Sequence, residues 1–71
     1  MILAYLRLRY TIKGNVVLTF RDKQGNVIVE DRFEGTEDLC LENGFGLWDW
    51  LDVKYIYAGQ DGYLHIDCEV K

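Results

Sequence analysis

The sequence predicts a small α+β domain, an antiparallel sheet of about five strands in the order β-β-β-α-β-β. One short or broken helical segment packs on one face of that sheet. Three observations lead there. Apolar and polar residues alternate along most of the chain, the period of a half-buried strand. Glycine-centred turn signals, "KGN" at 13–15, "QGN" at 24–26 and "DG" at 61–62, separate the alternating runs. One stretch, 34–51, "EGTEDLCLENGFGLWDWL", abandons the alternation and opens with helix-start chemistry.

The first run places Ile2, Ala4, Leu6, Leu8, Tyr10 and Ile12 on one face and Tyr5, Arg7 and Arg9 on the other. A three-residue loop at "KGN" sets Ile12 opposite Val16, Tyr10 opposite Leu18 and Leu8 opposite Phe20, so all six share a face. The same register opposes Arg7 to Arg21, which requires a nearby acid or ligand. "RDKQGNVIV" is the clearest hairpin, with Gly25 supplying the positive φ of the turn and a third strand running to about Phe33.

Beyond it, Thr36 is suited to cap a helix and Glu37 and Asp38 to sit at its positive end, which predicts a helix over 37–43 closed by Gly44. In the last hairpin a two-residue turn on Asp61–Gly62 pairs Tyr57 with Ile66, Tyr55 with Cys68, Val53 with Val70 and Lys54 with Glu69. That register leaves 47–51 outside the paired sheet. Plotted as a helix, Leu39, Cys40, Leu47, Trp50 and Leu51 fall within an arc of roughly 120°. Leu47, Trp50 and Leu51 are therefore assigned to the core, which leaves Trp48, or Phe45, near the rim. Gly44 and Gly46 argue for a break between two short helical pieces.

The chain has 71 residues, 49% of them apolar and 14% aromatic, with no proline and no low-complexity run. This is the composition of one compact domain over 1–71, close to the lower size limit for a self-supporting core. Its N-terminal run lacks the charge order of a secretory signal, and no run reaches the length of a membrane span. Two cysteines, Cys40 and Cys68, are too few for a disulfide scaffold, so a cytoplasmic location with reduced thiols is expected.

Charge is unevenly spread. Residues 1–29 hold five basic side chains against Asp22, whereas 30–71 hold three against eleven acids. Attraction between oppositely charged halves of one sheet accounts for this, and so would an interaction surface.

Catalysis needs groups that converge. The only histidine, His65, shares a strand face with Asp67, with which it can pair, while Cys68 points to the opposite face. His65, Asp67 and Glu69 are too widely spaced along one strand to close on a metal ion. No phosphate-cradling glycine motif or calcium loop is present. No enzymatic activity, cofactor or metal is therefore expected.

What is left is binding. The expectation is a non-catalytic protein-interaction module, a small acidic inhibitor or adaptor that binds a partner protein and blocks its surface. Its size and acidity are similar to those of anti-defence proteins of phages and other mobile elements, anti-CRISPR proteins among them. A nucleic-acid-handling enzyme would be a fitting partner, because Glu34, Asp38 and Glu42 lie in an acidic stretch able to engage a basic channel. Trp48 joins this first candidate surface. The second is the open sheet face, with Tyr5, Arg7, Arg9 and Arg21 on one side and Tyr63, His65 and Asp67 on the other. Tyr5, Arg7 and Arg9 on one strand would also suit single-stranded nucleic acid, the alternative reading, although an isoelectric point near 4.7 opposes it. An unpaired sheet edge offers a route to a homodimer.

Overall fold

The computed structural model describes residues 1–10, 12–36 and 46–70. It is an α+β arrangement of two layers. Helix α1 (Leu3–Arg9) precedes strands β1 (Gly14–Arg21) and β2 (Val27–Thr36), then a 3-10 turn (Gly46–Trp50), and strands β3 (Asp52–Ala58) and β4 (Leu64–Glu69). The described residues form one four-stranded mixed sheet in the order β2-β1-β4-β3, in which β1 and β4 run parallel and both outer pairs run antiparallel. The helix expected over 37–43 lies outside the described residues, as do Cys40, Asp38 and Glu42.

The sheet has four strands here, and not the five of an all-antiparallel arrangement, because the first run of the chain is a helix. Both long edges of β1 are occupied, one by β2 and the other by β4, so no edge remains for a strand over 1–12. That segment instead winds up with Leu3, Leu6 and Arg7 facing inward, the i, i+3, i+4 spacing of one helix face. Tyr5, Leu8 and Arg9 face out. Two helical turns are too few to be stable alone, so α1 is held by what it packs on.

The core lies between α1 and one face of the sheet. Leu3 and Leu6 join Val16, Leu18 and Phe20 of β1, Ile66 and Cys68 of β4, and Leu51. The parallel register sets Val16 beside Leu64, Leu18 beside Ile66 and Phe20 beside Cys68, so alternate residues of the two central strands fill one layer.

The tryptophans exchange their expected places. Trp48 stacks on Phe20, ring centroids 5.1 Å apart and planes 17° from parallel, and packs against the core. Trp50 is 68% exposed and Leu47 85%, while Leu51 alone of the expected trio is buried. A tight 3-10 turn advances about 120° per residue where an α-helix advances 100°, which rotates Trp50 off the inward side. The carboxylate of Asp49, between the two indoles, is instead the group that turns inward.

Candidate interaction face on the open side of the sheet

The β1–β2 hairpin forms at the expected place. Asp22 N–H donates to Asn26 O at 2.9 Å, and Gly25 takes φ +88°. Asp22 Oδ1 accepts the N–H groups of Gln24 and Asn26, both at 2.9 Å, which ties the turn to itself.

The β3–β4 hairpin forms with a different turn. Gly59 N–H donates to Tyr63 O at 2.8 Å, so the loop has three residues, Gln60, Asp61 and Gly62, with Gly62 at φ +84°. One extra loop residue slips the register by one and exchanges the faces of the strand. Tyr57 lies opposite His65 and Tyr55 opposite Asp67, where the two-residue turn would have set them against Ile66 and Cys68. A register shift between Val53 and Tyr55 then returns Val53 to Cys68 and the core. Both tyrosines therefore stand on the face away from α1.

The strand registers define that face as two cross-sheet rows. One reads Arg32, Val17, His65, Tyr57 and the other Glu30, Thr19, Asp67, Tyr55. Val17 and Thr19 are buried in the middle of this face, and among the described residues no second layer of helix or strand lies over them. The His65 ring stacks on Tyr57 with centroids 4.9 Å apart and planes 10° from parallel. Its Nε2 lies 3.1 Å from both carboxylate oxygens of Asp61. Asp61, not Asp67, is thus the histidine's partner, because the three-residue loop folds the Asp61 carboxylate back over the strand. Gly59 makes this room: a Cβ there would sit 2.5 Å from His65 Nε2 and would press on Asp61.

Arg32 continues the network. Its guanidinium reaches Glu30 at 3.2 Å and Asp61 at 3.8 Å and lies over the Tyr63 ring, 5.2 Å from the centroid. The Tyr63 hydroxyl donates to Glu34 at 2.6 Å. That bond to a carboxylate holds the phenol above its ordinary pKa, since ionising it would set two negative charges together. Arg21 donates from Nη1 to Gly25 O at 2.9 Å and stands 3.5 Å from Asp67. Asp67 is itself buried, and its Oδ1 has no hydrogen-bond partner among the described residues.

The expected site residues therefore divide. Arg21, Glu34, Tyr63, His65 and Asp67 come together on the open face. Tyr5, Arg7 and Arg9 do not: they lie on α1, where Arg9 stacks over Tyr5 at 5.4 Å and Arg7 is buried against Asp49. A strand presenting all three to nucleic acid is not formed. Trp48 packs against the core, while Asp38 and Glu42 lie outside the described residues.

Sequence reasoning missed Arg32, Tyr55, Tyr57 and Asp61. The spacing of Asp61 and His65, four apart across a glycine turn, was the available signal for one pair. The others depend on register. Cys68 lies on the core face with its thiol pushed up to about 12, first by burial and then by the nearby Asp67 and Asp52 carboxylates. It is buried away from His65, and among the described residues no three His, Cys, Asp or Glu side chains group to hold a metal ion. No helix among them is long and apolar enough to cross a membrane.

Among the described residues, these features define a small α+β domain with α1 covering one sheet face and no element on the other. No protein-family model matches the chain, and no curated protein or solved structure is significantly similar to it.

Proposed function

We propose that this chain is a non-catalytic protein-interaction module, an inhibitor or adaptor that binds a partner protein through the open face of its sheet and blocks the surface it covers. The observation that carries this reading is the pair of cross-sheet rows, which line up aromatic and charged side chains from all four strands on one rigid face. Interfaces favour such a mixture: tyrosine and arginine supply contact area, and the ion pairs of Arg21 and Arg32 within the protein restrain those long side chains.

The charge pattern favours protein over nucleic acid. Arg21 and Arg32, the basic residues of this face, are already matched by Asp67, Glu30 and Asp61, so they offer no track for phosphates. Glu34 and Tyr63 at the rim add an acceptor and an aromatic beside them.

The test uses substitutions that leave the core alone. Against a captured partner, Arg32→Glu, Glu34→Lys and Tyr63→Ala should each weaken the complex by at least tenfold in titration calorimetry, with the circular dichroism spectrum unchanged. A partner complex indifferent to all three sinks the reading. So does salt-sensitive retention of single-stranded oligonucleotides by the unaltered chain.

A further inference from the structure

We propose that two copies of this chain associate edge to edge through β3, antiparallel about a two-fold axis at Ile56, to give one continuous eight-stranded sheet. This inference is independent of the partner surface above. It rests on the outer edge of β3 and not on the rows of the open face.

Among the described residues β3 is an edge strand, and its edge is divided. The first part is covered by the protein's own chain: Val53 N–H donates to Met1 O at 2.7 Å, Leu3 N–H donates to Leu51 O at 2.9 Å, and Ile2 bridges to Asp52. The remainder, Lys54 to Ala58, is exposed at every residue. Within it Tyr55, Ile56 and Tyr57 are consecutive large apolar side chains, 66%, 47% and 46% exposed. Soluble monomers commonly protect such edges with charges, proline or a covering segment. Here the covering segment stops at Val53.

The open stretch is symmetric in the way that self-pairing requires. Gly59 N–H points inward to Tyr63 O, and Tyr57 and Tyr55 follow it at alternate positions opposite β4. The alternation of an antiparallel ladder therefore turns the N–H and C=O groups of Ile56 and Ala58 outward. A two-fold axis at Ile56 lets the two Ile56 residues exchange both backbone hydrogen bonds. It sets Tyr55 opposite the second copy's Tyr57, twice, and Ala58 opposite the second copy's Lys54, twice. All five exposed residues are then paired. Centring the axis on Tyr55 instead would run Tyr57 against Val53, whose N–H is already taken by Met1.

Charge also fits a second copy. Lys54, the charged residue of the stretch, meets Ala58 and not the other Lys54, so like charges are not opposed. The contact area is small. Two paired five-residue strands with their tyrosines bury on the order of 800 Å² in all, the size of a weak, reversible interface and not of an obligate dimer. Association is accordingly expected at high micromolar concentration. The doubled sheet would carry two copies of the open face side by side, with the four tyrosines at its centre.

Sedimentation equilibrium over a wide concentration range, with amide hydrogen exchange measured on the same samples, tests the proposal. The mass should rise towards the dimer, while protection of the Ile56 and Ala58 amides rises over the same range and that of Tyr55 and Tyr57 does not. Ile56→Lys, which opposes two ammonium groups at the axis, should raise the dissociation constant by at least tenfold. Ala58→Pro, which removes an outward N–H while keeping the edge apolar, should do the same. Both variants should keep the monomer's circular dichroism spectrum, since neither side chain is buried. A chain that stays monomeric at millimolar concentration overturns the proposal. So does a dimer that survives both substitutions, or one whose Ile56 and Ala58 amides exchange independently of concentration. Loss of a partner complex on Ile56→Lys by a strictly monomeric chain would assign the edge to a strand of that partner instead, and would also overturn it.

Discussion

Arg7 of α1 and Asp49 of the 3-10 turn meet as a two-pronged pair, Nε to Oδ1 at 2.8 Å and Nη2 to Oδ2 at 2.7 Å, with side chains only 10% and 11% exposed. The pair joins two short elements, neither of which is stable by itself. Forty-two positions separate the residues, so the contact exists only in the folded chain.

Removing one partner should be much worse than removing both. Arg7→Ala or Asp49→Ala leaves a buried charge without its counterpart, an expected loss of about 3–5 kcal/mol. For a domain this small that is much of the total stability. The double change Arg7→Met with Asp49→Leu should recover a large part of the loss, because an apolar pair needs no desolvation of charge. Urea unfolding of the three variants checks this, the expected sign being a double variant more stable than either alanine variant.

The two tryptophans should behave oppositely. Trp48→Ala removes the ring stacked on Phe20 and should cost about 3 kcal/mol, whereas Trp50→Ala at an exposed site should stay within about 0.5 kcal/mol. Thermal unfolding gives the stabilities. Acrylamide quenching of the single-tryptophan variants should show Trp50 readily quenched and Trp48 protected. Equal quenching would contradict the stacked arrangement.

Acid should weaken the domain through two turn carboxylates. Asp61 is held below the ordinary value of 3.8 chiefly by the hydrogen bond from His65 and then by the Tyr63 N–H. Asp22 is lowered chiefly by the Asn26 N–H, with the Asn26 side chain and the Gln24 N–H adding to it. A lowered carboxyl binds its proton less readily folded than unfolded. Its stabilising contribution is therefore complete above the ordinary value and is lost as the pH falls through the folded one. Asp22→Asn with Asp61→Asn keeps hydrogen-bonding side chains but removes both titrations. The double variant should show a flatter fall in urea midpoint between neutral pH and acid below 3.8.

Cys68 should be inert while the domain is folded. Its thiol is fully buried and its pKa is raised, and thiolate is the reactive form. Alkylation at mildly alkaline pH, read by peptide mass spectrometry, should leave Cys68 unlabelled in buffer and label it fully in denaturant. Labelling in buffer at the denatured rate would show that the β1–β4 core layer opens freely.

Local features were read correctly where the chemistry is local. The Asp22–Asn26 turn follows from Gly25 and an aspartate able to bond its own backbone, and both strands of that hairpin formed where the alternation put them. The Asp61–Gly62 turn was found as well, but not its length. One residue decided whether Tyr55 and Tyr57 faced the core or the open side, and both choices satisfied the apolar pattern because Val53 to Tyr57 offers large side chains to each face. The candidate site was legible to the same degree. His65 and Asp67 were placed on one face because they sit in one strand, with Tyr63 just before it, while Arg32 joins them only through pairing across strands and Asp61 through the length of the turn.

The sequence by itself determined the two hairpins and the alternation that makes one sheet face apolar. Both arise from contacts within a few residues. Tertiary structure alone decided that the first segment is a helix, since its alternating pattern was a good strand and only the parallel pairing of β4 with β1 took away the edge it needed. It also decided which tryptophan packs against the core and that Arg7, written as part of a basic strand face, lies in the interior against Asp49. Each of these depends on chain segments far apart in the sequence, 42 positions for Arg7 and Asp49, and no local preference of the backbone encodes which of them will meet.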